Sequence, residues 1–144
     1  MKFTNTDKAP AAVGPYSQAV AVNGFLFTSG QIALDPATGA IVGEGDVVAQ
    51  AEQVMKNLSA VLDANGLTFE DAIKTTCFLA DMGDFAAFNA VYAEYFSENK
   101  PARACFGGND IPKGALVEVE VIAVKTSANL FSISATIFCN APRV

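Results

Sequence analysis

Residues 101–120 read Pro-Ala-Arg-Ala-Cys-Phe-Gly-Gly-Asn-Asp-Ile-Pro-Lys-Gly-Ala-Leu-Val-Glu-Val-Glu. Two strand-like runs flank a turn-rich centre, and a hairpin about Asp110–Ile111 would set Arg103 opposite Glu118. Cys105 would share the face of Arg103, because alternate residues of a strand point the same way. We therefore expect a guanidinium, a carboxylate and a thiol on one sheet face, an arrangement suited to a small anionic substrate.

The rest of the chain alternates strand and helix patterns. Residues 1–15 read as an irregular lead-in, and Asn23-Gly24 is a hairpin-turn signal between two apolar runs. Asp46 and Asp84 are candidate helix N-caps, each followed by apolar residues at helical spacing. The predicted elements are strands at 16–22, 25–29 and 72–80, helices after residues 46 and 84, and the two strands of the hairpin. This order predicts an α/β sandwich with both helices on one sheet face.

Composition excludes several kinds of chemistry. The 144 residues suit one domain, the apolar fraction is 51%, and the net charge of −6 disfavours nucleic acid as a partner. The chain has no His, which removes His-based nucleophile activation and the commonest metal ligand. Its three Cys are far apart, which favours a reducing compartment over a zinc or disulfide framework. The N-terminus lacks a signal-peptide core, so we expect a soluble cytoplasmic domain.

The last strand predicts an oligomer. Both of its faces are largely apolar: one carries Leu116, Glu118, Glu120, Ile122 and Val124, and the other carries Val117, Val119, Val121 and Ala123. One face would meet the helices and the other a second copy of the chain. We expect a domain at 1–126, followed at 127–144 by an apolar tail with no charge before Arg143 and no catalytic role.

Each candidate site residue has a structural alternative. Arg103 could clamp a carboxylate through two parallel hydrogen bonds, or form only a cross-strand ion pair with Glu118. Glu118 could activate water, and Glu120 on the same face competes for that role. Cys105 is more often a small buried hydrophobe than a nucleophile, and Asn89 could be a helix-surface amide.

Several motifs occur together in a fixed order. They are Gly14-Pro15-Tyr16-Ser17-Gln18, Thr28-Ser29-Gly30-Gln31, Lys74-Thr75-Thr76, Phe88-Asn89-Ala90-Val91-Tyr92, Pro101-Ala102-Arg103 and Gly114-Ala115-Leu116-Val117-Glu118-Val119-Glu120. Across residues 5–125 the chain resembles the RidA/YjgF/UK114 family of reactive imine deaminases. Ala104 departs from the Ser or Thr usual in that family, and the tail has no counterpart in it.

The resemblance implies a chorismate-mutase-like fold, a mixed sheet with two helices on one face, and a homotrimer with sites between subunits. It implies hydrolysis of 2-iminobutanoate and 2-iminopropanoate to 2-oxo acids and ammonia, without a cofactor or metal. By position, Arg103 would bind the substrate carboxylate, Glu118 rather than Glu120 would handle water, and Cys105 would line the pocket. The positions that would shape the cleft or hold ligand are Tyr16, Ser29, Gly30 and Asn89.

Two alternatives stay open at this point. The same cleft could bind a small carboxylate such as a 2-oxo acid without turnover. An RNA-cleaving or translation-inhibiting activity is the less favoured alternative, given the acidic charge and the lack of His.

Overall fold

The computed structural model describes residues 1–125, so the predicted tail at 127–144 lies outside the described residues. Six strands and two α-helices form this part of the chain. The elements are β1 (Lys2–Thr4), β2 (Ala19–Val22), β3 (Phe25–Thr28), α1 (Val47–Asp63), β4 (Ala72–Leu79), α2 (Phe85–Tyr95), β5 (Ala102–Phe106) and β6 (Val117–Val124).

The strands form one mixed sheet in the order β1-β2-β3-β6-β4-β5. β4 pairs with β6 antiparallel and with β5 parallel, so β4 lies between the two strands of the predicted hairpin. The predicted hairpin is therefore wrong. The reason is that β4, α2 and β5 form a crossover unit, in which the helix returns the chain so that β5 runs parallel to β4. The loop after β5 then crosses the end of β4, where the Asn109 side-chain amide donates to the Leu79 carbonyl at 3.0 Å.

The two predicted helices are confirmed and share one face of the sheet. α1 begins after Asp46, whose carboxylate accepts hydrogen bonds from the backbone N–H groups of Val48 and Ala49 at 3.1 Å. α2 begins after Asp84, whose side chain makes no capping bond. The buried core joins both helices to the alternate residues of β6 predicted for this face, Val117, Val119, Val121 and Ala123.

The first residues are more ordered than the sequence predicts. Lys2–Thr4 pairs with β2, with Phe3 opposite Val20, so the prediction of an irregular lead-in is wrong for this segment. Three residues are too short to show a periodicity, and the segment becomes a strand because it pairs with a strand some seventeen residues later in the chain. The Asn23-Gly24 turn is confirmed, with φ of 51° and 81° at its two residues, the left-handed values that favour Gly and Asn.

The sheet face turned away from the helices is apolar and open. Phe3, Phe25, Phe27 and Phe106 are exposed at 60%, 41%, 44% and 53%. Register places Phe3 beside Val20 and Val20 beside Phe27, so these side chains share one face. A small protein seldom leaves several aromatic side chains on one sheet face in water, which makes this face a candidate interface. Among the helices the structure describes, none is long and apolar enough to cross a membrane.

Candidate functional site

A bulge between β3 and β6 opens the first part of the site. Regular pairing ends at Phe27 with Ile122 and resumes at Gln31 with Val119, so three residues of one strand face two of the other. The Thr28 hydroxyl accepts the hydrogen bond of the Val121 N–H at 2.9 Å, which satisfies the donor left by the missing ladder partner. Bulges of this kind re-aim side chains beside binding sites.

The bulge forms one wall of a cleft of about 550 Å³, which we call the glutamate cleft. Its walls come from the segment before β2, from the bulge, from the loop before β6 and from β6 itself. The polar or charged lining residues are Tyr16, Gln18, Thr28, Ser29, Gln31, Lys113, Glu118 and Glu120. The cleft thus combines two carboxylates and one ammonium with several hydroxyl and amide groups.

Glu118 lies against Gly30 at the base of this cleft. A methyl group on Gly30 would overlap the Glu118 carboxylate and come within 2.9 Å of its carboxyl carbon. Burial raises the pKa of Glu118, and the neighbouring negative charge of Glu120 raises that pKa further. A half-buried carboxyl with a raised pKa gains and loses its proton nearer to neutral pH than an exposed carboxyl does, and this suits a general base.

Two hydroxyl groups in the cleft are already hydrogen-bonded. The Ser29 hydroxyl donates to the Ser17 carbonyl at 2.5 Å, and the Tyr16 hydroxyl accepts from the Val13 N–H at 3.1 Å. Tyr16 therefore folds its own loop over the cleft and keeps its O–H donor available. Tyr16, Ser29 and Gly30, which the family resemblance assigns to the cleft, all line it, and their roles toward a ligand remain predictions.

Gln18, which the sequence did not single out as a site residue, anchors the cleft wall. Gln18 is buried, and its amide accepts from the Thr6 N–H at 2.7 Å and donates to the carbonyls of Thr6 and Pro10 at 2.9 Å. These bonds fix the segment before β2 over the cleft. The position of Gln18 next to an apolar strand was the available signal, since a buried amide requires hydrogen-bond partners on neighbouring backbone.

Arg103 lies on the other side of the sheet. It pairs in register with Thr75, whereas Glu118 pairs with Phe78, three residues further along β4. An odd separation along a strand reverses the side-chain direction. Arg103 therefore points toward α2, where it donates to the Asn89 side-chain oxygen at 2.6 Å. The predicted convergence of Arg103 and Glu118 within one chain is wrong, and so is the alternative ion pair between them.

Cys105 accompanies Arg103, as the alternation predicts, and lies directly opposite Cys77 of β4. Both are free thiols. Burial raises the pKa of Cys105, and the Arg103 charge offsets only part of that effect. Burial raises the pKa of Cys77 to about 12. Both thiols thus stay protonated near neutral pH, which favours a packing role for Cys105 over a nucleophilic one.

The structure groups the predicted residues into two sets. The glutamate cleft holds Tyr16, Ser29, Gly30 and Glu118. The second set, which we call the arginine group, comprises Arg103, Asn89 and Cys105 on the helix side of β5. Within residues 1–125, no cluster of three or more His, Cys, Asp or Glu side chains is placed to hold a metal ion.

Fold and site together define a small α+β protein with two groups of polar side chains on opposite faces of one mixed sheet. The family described as Endoribonuclease L-PSP matches residues 6–125. The RutC family protein slr0709 of Synechocystis is 57% identical over 125 residues, which cover 86% of this chain and 96% of that protein. The mouse 2-iminobutanoate/2-iminopropanoate deaminase is 48% identical over 124 residues, which cover 86% and 91%.

Solved structures of similar sequence share this fold. TdcF of Escherichia coli, determined with bound serine, superposes with a TM-score of 0.82 at 41% identity, covering 88% of this chain and all of that one. The chain belongs to the Endoribonuclease L-PSP family, whose members include RidA proteins and 2-iminobutanoate/2-iminopropanoate deaminases. The predicted family and fold class are thereby confirmed.

Proposed function

We propose that this protein is an imine deaminase that hydrolyses 2-iminobutanoate and 2-iminopropanoate to 2-oxo acids and ammonia, without a cofactor. The observation that carries the proposal is the half-buried Glu118, held in a cleft against Gly30 and with a raised pKa. The mouse relative is named for this activity, and TdcF was solved with serine, a small 2-amino acid. Both support a ligand that carries a carboxylate beside a nitrogen-bearing carbon.

The reaction needs positioning and a modest base. The carbon of a protonated imine is already electrophilic, so water can add to it once the two are held together. Arg103 would bind the substrate carboxylate, and Glu118 would take a proton as the water oxygen bonds to that carbon. Glu118 would then return that proton to the nitrogen and take the proton of the new hydroxyl group as the carbon–nitrogen bond breaks, so that ammonia and a 2-oxo acid leave and the last proton passes to water.

A homotrimer forms part of the proposal. The open aromatic face would be buried against other copies, and a copy packed there could bring its arginine group to a neighbour's glutamate cleft. Because Arg103 and Glu118 are on opposite faces of one chain's sheet, the site is incomplete without a second copy. We place the protein in the cytoplasm, with neither nucleic acid nor a membrane as partner.

A coupled assay tests the activity directly. A pyridoxal-phosphate threonine dehydratase would generate 2-iminobutanoate, and adding the protein should accelerate the release of 2-oxobutanoate and ammonia beyond the spontaneous rate. Unaccelerated release, with 2-oxobutanoate bound in calorimetry, would replace the proposal by a carboxylate-binding module. Salt-sensitive binding of RNA, with no effect on imine hydrolysis, would favour a ribonuclease instead.

Activity should depend on pH through Glu118. A carboxyl with a raised pKa keeps its proton to higher pH, so a Glu118 base becomes active only above that raised pKa. The charged and titratable groups lining the cleft with it are Glu120 on the same strand, Lys113 from the preceding loop and Tyr16 from the segment before β2. We expect kcat/KM to fall on the acid side at a pH above that of an ordinary carboxylate.

Glu120→Gln should move this acid limb to lower pH, because it removes the negative charge that raises the pKa of Glu118. The measurement is kcat/KM against pH for both proteins in the coupled assay. Glu70→Gln, at an exposed position remote from the cleft, is the matched control and should leave the profile unchanged. An acid limb that stays in place in Glu120→Gln contradicts the assignment of the base.

A further inference from the structure

The Arg103 guanidinium lies over two aromatic rings of α2. Its central carbon is 4.8 Å from the centre of the Tyr92 ring and 5.5 Å from the centre of the Phe85 ring. Both distances are within the range in which an aromatic face attracts a cation. The planar guanidinium also stacks on such faces in a way that the compact ammonium of Lys does not.

The spacing of residues on α2 creates this platform. Phe85, Asn89 and Tyr92 lie four and seven residues apart, so they occupy one helix face. The Asn89 side-chain oxygen on this face accepts one guanidinium N–H of Arg103 at 2.6 Å. A guanidinium has five N–H donors, and Arg103 remains exposed, so several donors are left for a ligand. Asn89, predicted to line the cleft, here orients Arg103.

A buried hydrogen bond holds the platform in place. The Tyr92 and Thr75 hydroxyls are 2.7 Å apart, and Thr75 is fully buried. Thr75 is also the register partner of Arg103 on the neighbouring strand. The Tyr92 ring is therefore tied to the same point of the sheet from which Arg103 projects. Ring contacts with Phe88 and Phe96, at 5.7 and 4.6 Å between centres, restrict it further.

We propose that Phe85 and Tyr92 are positioning residues that hold the Arg103 guanidinium in one plane, ready to receive a carboxylate through two parallel hydrogen bonds. This inference rests on the proposed role of Arg103 as the carboxylate clamp. An exposed Arg loses much side-chain freedom when it binds a ligand, and a side chain that is already ordered loses less. The rings would thus strengthen carboxylate binding without touching the carboxylate.

A double-mutant cycle tests this role by calorimetry with 2-oxobutanoate. Phe85→Leu should weaken binding by about two- to fivefold, the contribution of one exposed cation–π contact. The same change in an Arg103→Gln background should have little further effect, because a neutral amide has no charge for the ring to attract. Equal weakening in both backgrounds, or none with Arg103 present, overturns the proposal.

A second pair of variants separates the ring from the fold. Tyr92→Phe keeps the ring but loses the hydrogen bond to Thr75, so it should bind 2-oxobutanoate more tightly than Tyr92→Leu, which loses the ring as well. Nuclear magnetic resonance of the Arg103 side chain gives a readout without any ligand. Its guanidinium protons should show an upfield ring-current shift that shrinks in Phe85→Leu, and an unchanged shift contradicts the stacking.

The outcomes also separate this inference from the proposed activity. A protein that binds 2-oxobutanoate with the predicted coupling but does not accelerate imine hydrolysis supports the platform and refutes the deaminase. A protein that hydrolyses the imine with no coupling between Phe85 and Arg103 supports the deaminase and refutes the platform.

Discussion

Mixed trimers of Arg103→Ala and Glu118→Gln chains are expected to recover about a quarter of wild-type imine hydrolysis, although neither variant alone is active. Loss of the carboxylate clamp in Arg103→Ala should lower kcat/KM by about 10²- to 10³-fold, the cost of one well-placed charged donor. Loss of the base in Glu118→Gln should cost about 10²- to 10⁴-fold. Both variants should remain folded, because neither side chain belongs to the buried core.

The reason for recovery is the orientation of the two side chains. Arg103 points to the helix side of the sheet and Glu118 to the open side, so one copy cannot bring its own pair together. In a ring of three copies, each site would take Arg103 from one copy and Glu118 from the next. A mixed trimer therefore contains one site in which the arginine of one variant faces the glutamate of the other.

The expected yield follows from random assembly. With equal amounts of both chains, about three quarters of the trimers contain both variants, and each of these has one complete site in three. The experiment coexpresses the chains with different tags, purifies the doubly tagged trimers and measures hydrolysis in the coupled assay. Doubly tagged trimers alone should therefore reach about one third of wild-type activity per trimer.

A matched control excludes a general effect of mixing. Arg103→Ala chains mixed with chains that carry both Arg103→Ala and Glu118→Gln contain no complete arginine group, so they should stay inactive. If the Arg103→Ala and Glu118→Gln mixture also stays inactive while its trimers are intact, the site does not form between copies.

Sequence reasoning succeeded where one local rule fixes the outcome. Asp46 begins α1 because its carboxylate satisfies two backbone donors, and such a cap is visible in the sequence. The alternation of β6 correctly separates its buried Val residues from the face that carries Glu118, because strand periodicity depends only on neighbouring residues.

The predicted hairpin was wrong because strand pairing here depends on residues that are far apart in the chain. Symmetry about Asp110–Ile111 is consistent with a hairpin, but it does not show that β4, some thirty residues earlier in the chain, lies between the two strands. A parallel neighbour after a helical crossover is a property of the whole fold. Pairing β5 directly with β6 would place Arg103 on the face of Glu118. In the structure Arg103 lies on the opposite face, so it is not the partner of Glu118 within one chain.

The sequence also does not reveal side chains whose role depends on partners that are distant in the chain. Gln18 fixes the wall of the glutamate cleft, and the Tyr92 ring, hydrogen-bonded to Thr75, lies against the Arg103 guanidinium. In the sequence, one is an amide in a motif and the other an aromatic residue on an apolar helix face. Neither pattern predicts which residue each side chain contacts, because the contacts join different elements of the fold.

Gly30→Ala is expected to lower kcat/KM for imine hydrolysis by about 100-fold while leaving the protein folded, because a base displaced by about 1 Å loses that much activity. The added methyl group would overlap the Glu118 carboxylate, the flexible end of that side chain, and not the backbone. Glu118 can therefore swing away with little cost to stability. The cost falls on catalysis, since the carboxylate leaves the position from which it would take the proton of water.

The measurement pairs the coupled assay with a thermal melt. Gly83→Ala is the control, because its methyl group would meet a carboxylate oxygen, that of Asp81 at 3.2 Å, far from the cleft. It should keep wild-type kcat/KM. Gly30→Ala should also reduce the effect of Glu118→Gln, since a displaced base has little left to lose. Full activity in Gly30→Ala would show that the position of the Glu118 carboxylate against Gly30 is not the one used in the reaction.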